Sequence, residues 1–162
     1  TAVVGKKSVM ESAQNTFISS TFWTERIGPT AALATLSYMN KVKSWDIITE
    51  IGNKMRDKWT KLANSHNLKI NISGLSAIST YTFSSSNNLK YKTFITQEML
   101  KKGFLASTSF YVCISHDDLI IDKYINALDE VYFKISQCNK GVLNIDNLLD
   151  GPVCHSGFQR LN

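Results

Sequence analysis

The chain lacks the features by which several classes of protein announce themselves. Its three cysteines, Cys113, Cys138 and Cys154, are odd in number and widely spaced, with no C-x-x-C pair and no histidine at ligand spacing. They are expected to be reduced thiols engaged in packing, and no metal site is expected. No stretch approaches the roughly 18 uninterrupted apolar residues of a membrane-spanning helix. The opening "TAVVGKKSVM" is too short and wrongly ordered for a signal peptide, so a cytoplasmic location is expected. The "NIS" at Asn71 carries little meaning as a glycosylation acceptor without such a signal. Runs of one charge are also missing. The formal charge is +5, yet the lysines are dispersed, with doublets only at Lys6-Lys7 and Lys101-Lys102. The aromatics follow core periods instead of interleaving with lysines, which speaks against a nucleic-acid partner. A phosphate-bearing small molecule is a milder use of a positive surface.

What is present is enough for a core. A chain of 162 residues, 43% of them hydrophobic, suits one domain or a domain with an appendage. "TAVVG" reads as an apolar strand without a visible partner, and a short helix is possible around Met10 to Ala13. Pro29 suits the first turn of a helix, and "TAALATLSYM" continues it with residues so uniformly small and apolar that burial is expected. Ser44 can cap a second, amphipathic helix reaching about His66, with Trp45, Ile48, Ile51, Met55, Trp59 and Leu62 at spacings of three and four. The period then becomes two. "LKINIS" and "LSAISTYTF" read as strands broken at Gly74, "YKTFITQEMLKKG" as a helix ended by Gly103, and "FLASTSFYVCI" as a further strand. Ser115 with Asp118 resembles a capping box for a closing helix whose face carries Ile121, Ile125, Leu128, Tyr132 and Ile135. His116 then falls near the first turn, a surface position. From about Leu68 onward this is an α+β unit, a small sheet covered on one face by helices.

The stretch "TFISSTFWTERIGPTAALATL" crowds Thr16, Ser19, Ser20, Thr21 and Thr24 ahead of the apolar helix. Two readings stand side by side. One hydroxyl caps the helix and the rest are loop, or hydroxyls and free N–H groups beside the positive end of the helix receive an anion.

Three stretches taken in order resemble the C-terminal part of class III pyridoxal-phosphate aminotransferases, in the subgroup of glutamate-1-semialdehyde aminomutase. "AVVGKKSVM" resembles the segment soon after that family's cofactor lysine, and "SSTFWTERIGPTAALATL" its "S-T-T-F-G-G-E" segment and following helix. "EMLKKGFLASTSFYVCISHDDLIIDKYINALDEV" resembles its C-terminal run. The resemblance extends from Ala2 to about Val131 and implies the small domain of a fold-type I aminotransferase. On it, residues 1–43 are a remnant of the large cofactor domain with the start of an inter-domain helix, and 44–162 form the small α+β domain. The resemblance implies that Thr21, with Ser20 beside it, holds the phosphate of pyridoxal phosphate in the neighbouring subunit of a homodimer. Trp23, Thr24 and Glu25 depart from the commoner "T-F-S-G-N-P" form. The family's Schiff-base lysine, in an "S-K...N-G" context, and its acid partner lie upstream of "AVVG", and no lysine here has that context. The chain is therefore expected to be a C-terminal fragment or truncated member, with no catalytic residue of its own and no turnover alone. Its parent would act on a small amino or keto metabolite, exchanging an amino donor for a keto acceptor or moving an amino group within one molecule. A non-catalytic α+β association module, working through the uncovered N-terminal strand and helix, is the alternative.

Overall fold

The structure is a computed structural model that describes residues 3–17, 21 and 25–157. The chain divides into two compact units, Thr1–Val42 and Lys43–Asn162.

In the first unit, α1 (Lys7–Met10) runs into a 3-10 turn, Glu11–Asn15, and α2 spans Ile27–Val42. The strand expected at "TAVVG" does not form among the described residues: Val3 and Val4 lie outside any strand, both exposed. A strand needs a neighbour to satisfy its backbone, and no described residue of this unit supplies one. The burial expected for α2 is not found either, since none of its residues is buried. Alanine-rich sequence favours the helical backbone without requiring burial, and packing is a separate demand that α2 does not meet.

The second unit holds the core. Helix α3 (Ser44–Ser65) is followed by β1 (Ile70–Leu75), β2 (Ile78–Phe83), α4 (Asn88–Lys101), β3 (Ser109–Tyr111) and α5 (Asp118–Asn139), then a 3-10 turn at Ile145–Asn147. The three strands form an antiparallel sheet in the order β1-β2-β3, in register from Ile70↔Phe83 to Leu75↔Ile78 and from Ile78↔Tyr111 to Thr80↔Ser109. Period two decides its faces. Ser79, Tyr81 and Phe83 are buried toward the helices, while Ile78 and Thr82 are exposed. Trp59 of α3 packs edge-on against Tyr81 at 4.7 Å between ring centroids, and Tyr132 of α5 meets Tyr81 at 6.3 Å and Phe83 at 5.7 Å. The expected α+β architecture, helices over one face of a small sheet, is thus what forms.

Two glycines make this packing possible. A Cβ on Gly52 would stand 2.0 Å from the Ser76 carbonyl oxygen, so only glycine lets α3 meet the β1–β2 turn. Beside that contact the Ser76 hydroxyl donates to Asn53 Oδ1 at 2.6 Å. Gly103 ends α4 at φ +83°, as expected, and the Phe104 amide donates back to the Met99 carbonyl at 2.9 Å. Ion pairs tie α3 to α5: Lys54–Asp118 at 2.5 Å, Lys58–Asp122 at 2.8 Å and His66–Asp129 at 2.7 Å. Their rising order means that the two helices run in the same direction.

Local expectations need correction at three places. The strand expected over "FLASTSFYVCI" shrinks to Ser109–Tyr111, because Phe104 still belongs to the α4 termination and Val112 is the last residue bonded to the neighbouring hairpin, through the Ala77 carbonyl. The cap of α5 is Asp117, whose Oδ1 accepts from the Ile120 amide at 2.8 Å, and not Ser115. Carboxylate and hydroxyl cap equally well, so spacing to the helix start decides. Ser44 is the first helical residue of α3 and not its cap, which is Lys43 at φ +50°.

Candidate functional site

The hydroxyl-rich segment ahead of α2 resolves into residues with separate tasks. Thr16 is committed, its hydroxyl donating to the Ala13 carbonyl at 2.9 Å at the end of the 3-10 turn. Thr21 lies in a turn with its side chain exposed. Ser20, Ser19 and Thr24 lie outside the described residues, so the expected Ser20–Thr21 pair is seen only in its second member.

The start of α2 differs from the expectation of free amides behind Pro29. The helix begins at Ile27, and Pro29, its third residue, has no N–H to offer. The Glu25 carboxylate accepts from the Ile27 amide and from the Gly28 amide, the latter at 3.0 Å to Oε2. The Thr30 amide donates to the Arg26 carbonyl at 3.0 Å. Every amide of the first turn is therefore paired or absent, and the helix end already holds a negative group. A phosphate placed here would meet the Glu25 carboxylate, so the helix-end part of the anion reading is overturned. What remains fit for a phosphate oxygen is an exposed hydroxyl, that of Thr21. Sequence reasoning noticed Glu25 only as a departure from a motif. An acidic residue two and three positions ahead of two helix-opening amides was the signal for its capping role.

Other groups with potential chemistry are occupied structurally. Glu98 of α4, only 12% exposed, pairs with Lys101 and Lys134, both at 2.9 Å. Burial alone would raise its carboxyl, but hydrogen bonds from Lys101, Lys134 and Gln97 outweigh that and hold it down at about 2. Gln97 clamps the C-terminal segment: its amide nitrogen donates to the Leu148 carbonyl at 2.9 Å, and its oxygen accepts from the Asp150 amide at 2.7 Å. Asp118 is held below its ordinary range by the hydrogen bond from Lys54. His116 precedes α5, with Nδ1 accepting from the Cys113 amide at 3.0 Å and its ring on Phe110. The thiols are free, Cys113 exposed and the other two half-buried. Cys154 is held through its amide, which donates to Thr93 Oγ1 at 3.0 Å. Among the described residues no three His, Cys, Asp or Glu side chains gather as a metal would require, and no helix is long and apolar enough to cross a membrane. No lysine is buried.

No family model matches the chain. It is 25% identical over 148 residues to glutamate-1-semialdehyde 2,1-aminomutase of Methanocaldococcus jannaschii, covering 81% of this chain and 34% of that protein. Among solved structures, the PLP internal aldimine form of FumI from Sphingopyxis sp. MTA144 matches with a TM-score of 0.76 at 15% identity, over 90% of this chain and 36% of that one. The chain thus has the fold of part of a protein that carries pyridoxal phosphate (PLP), is similar in sequence to an aminomutase, and spans about a third of the length of each.

Proposed function

We propose that this chain works as the C-terminal part of a pyridoxal-phosphate-dependent aminotransferase or aminomutase of class III, a cytoplasmic homodimer acting on a small amino or keto metabolite. The observation that carries this reading is the shared fold over 90% of the chain, joined to sequence similarity over 81% of it. In this assignment residues 1–43 belong with the cofactor domain and 44–162 form the small domain. Pyridoxal phosphate, when bound, supplies an electron sink beside the substrate amine. This chain's contribution is to hold. The Thr21 hydroxyl, with Ser20 beside it, donates to a phosphate oxygen, a charge-assisted bond that fixes the cofactor's position. Glu25, by closing the start of α2, anchors the segment that follows Thr21.

The cofactor-bearing lysine is assigned to residues outside this sequence. No lysine here is buried, so none sits in the desolvated pocket that activates a lysine amine as a nucleophile. Borohydride reduction after incubation with pyridoxal phosphate tests this. The 162-residue chain should give only weak, scattered labelling, and the protein joined to its upstream sequence one stoichiometric adduct and turnover of an amino donor. A single adduct with turnover on the chain alone would refute the assignment.

A second reading, a non-catalytic association module, has one observation in its favour. On the sheet face away from the helices, Leu75, Ile78 and Tyr111 stand in one cross-strand row, all exposed. Light scattering separates the two, since a module of that kind associates without pyridoxal phosphate or an upstream domain.

A further inference from the structure

Between α3, β3 and α5 the second unit forms a partly open cavity of about 230 Å³. Its wall includes Met55 of α3, Phe104, Phe110 of β3, and Ile121 and Tyr124 of α5, with His116 contributing the one imidazole. Leu105 and Tyr111 also line it and are 97% and 72% exposed, so they stand at its open side. It uses neither Thr21 nor Ser20 and is independent of the cofactor assignment.

We infer that this cavity is a binding site for a neutral aromatic molecule of one to two rings bearing a hydrogen-bond acceptor such as a carbonyl. Size sets the first limit. A dry cavity of roughly 150 Å³ accommodates benzene, and drug-sized ligands occupy about 300 Å³ or more, so this volume falls between them. Charge sets the second. No Lys, Arg, Asp or Glu is among the lining residues. An ionised ligand would lose hydration without meeting a counter-charge. Donors set the third. His116 Nδ1 accepts from the Cys113 amide at 3.0 Å, which places the ring proton of the neutral imidazole on Nε2. The Tyr124 oxygen accepts from Trp59 Nε1 at 3.2 Å, which leaves its own proton to donate. The rings of Phe104 and Tyr124, 5.9 Å apart, give the apolar wall an aromatic edge against which a ring can pack.

The test is a two-dimensional amide NMR titration of the 162-residue chain with acetophenone, toluene and benzoate. Acetophenone should give saturable shifts at the amides of Phe110, His116 and Ile121. Toluene should bind at the same place about 2- to 10-fold more weakly, for want of the acceptor, and benzoate at least about tenfold more weakly. Ala106→Phe, which adds bulk to the lining, should abolish the shifts. If that variant does not fold, Ile120→Trp on the exposed part of the wall replaces it. Absence of saturable shifts in the wild-type chain overturns the inference, as does benzoate binding as tightly as acetophenone, or shifts that survive in the folded bulky variant.

Discussion

The two units were built from equally helical sequence and reached different ends. Helix α2, 16 residues, and helix α3, 22 residues, both form, but α2 buries none of its residues whereas α3 buries Met55, Trp59, Leu62 and others against a sheet. The difference lies in pattern, not propensity. Apolar residues of α3 recur on one stripe, so one partner surface covers them, while those of α2 are spread around the helix with alanine and threonine between them. Helix formation follows from local preference, but a core needs sidedness. The stability of the chain is therefore concentrated in residues 43–157 and its proposed cofactor contact in residues 20–21.

The largest loss should come from the middle of that core. Trp59 is fully buried, and its Nε1 donates to Tyr124 at 3.2 Å. Trp59→Ala should cost about 3–5 kcal/mol by chemical denaturation. Gly52→Ala comes next. The new methyl meets the backbone of Ser76, which cannot swing aside as a side chain would, and a loss of about 1–3 kcal/mol is expected.

These core positions were largely legible in the sequence. The spacing of Met55, Trp59 and Leu62, the alternation through Tyr81 and Phe83, and the left-handed Gly103 each follow from a local period or backbone rule. Less was legible where a long-range partner decides. The strand run at 104–114 gave no sign that only Ser109–Tyr111 would pair, because the preceding residues are spent on ending α4. "TAVVG" looked like a strand because apolar β-branched residues always do, and whether one pairs is set by a neighbour that a sequence window does not contain. Of the candidate site, the structure adds that Thr21 is an exposed turn residue, and the helix end was misread, since an anion reading and a carboxylate cap draw on the same amides. Gly52 was invisible: nothing in a helical window reports the turn that will pack on it.

A smaller effect is the acid response of the core. Glu98 is held down at about 2, below its ordinary 4.5, so it stabilises the fold above the ordinary value and loses that contribution as pH falls from 4.5 toward 2. In Glu98→Gln the fall in melting temperature over that window should be shallower than in the wild-type chain, with the two curves parallel above pH 5. The smallest effect is predicted in the first unit. Leu33 of α2 is exposed, and Leu33→Ala should change the stability of the 162-residue chain by no more than about 0.5 kcal/mol. A loss like that of a core leucine would erase the contrast between the units.

The central claim is that Thr21 contributes cofactor binding and not stability. In the pyridoxal-phosphate protein that this chain is proposed to complete, Thr21→Ala measured by cofactor titration and thermal melting of the apo form decides it. Loss of one hydrogen bond to a charged group is worth about 1.5–3 kcal/mol, so affinity should fall roughly ten- to a hundredfold while the melting temperature stays within error. Unchanged affinity with a lowered melting temperature would show Thr21 to be a structural turn residue and contradict the account.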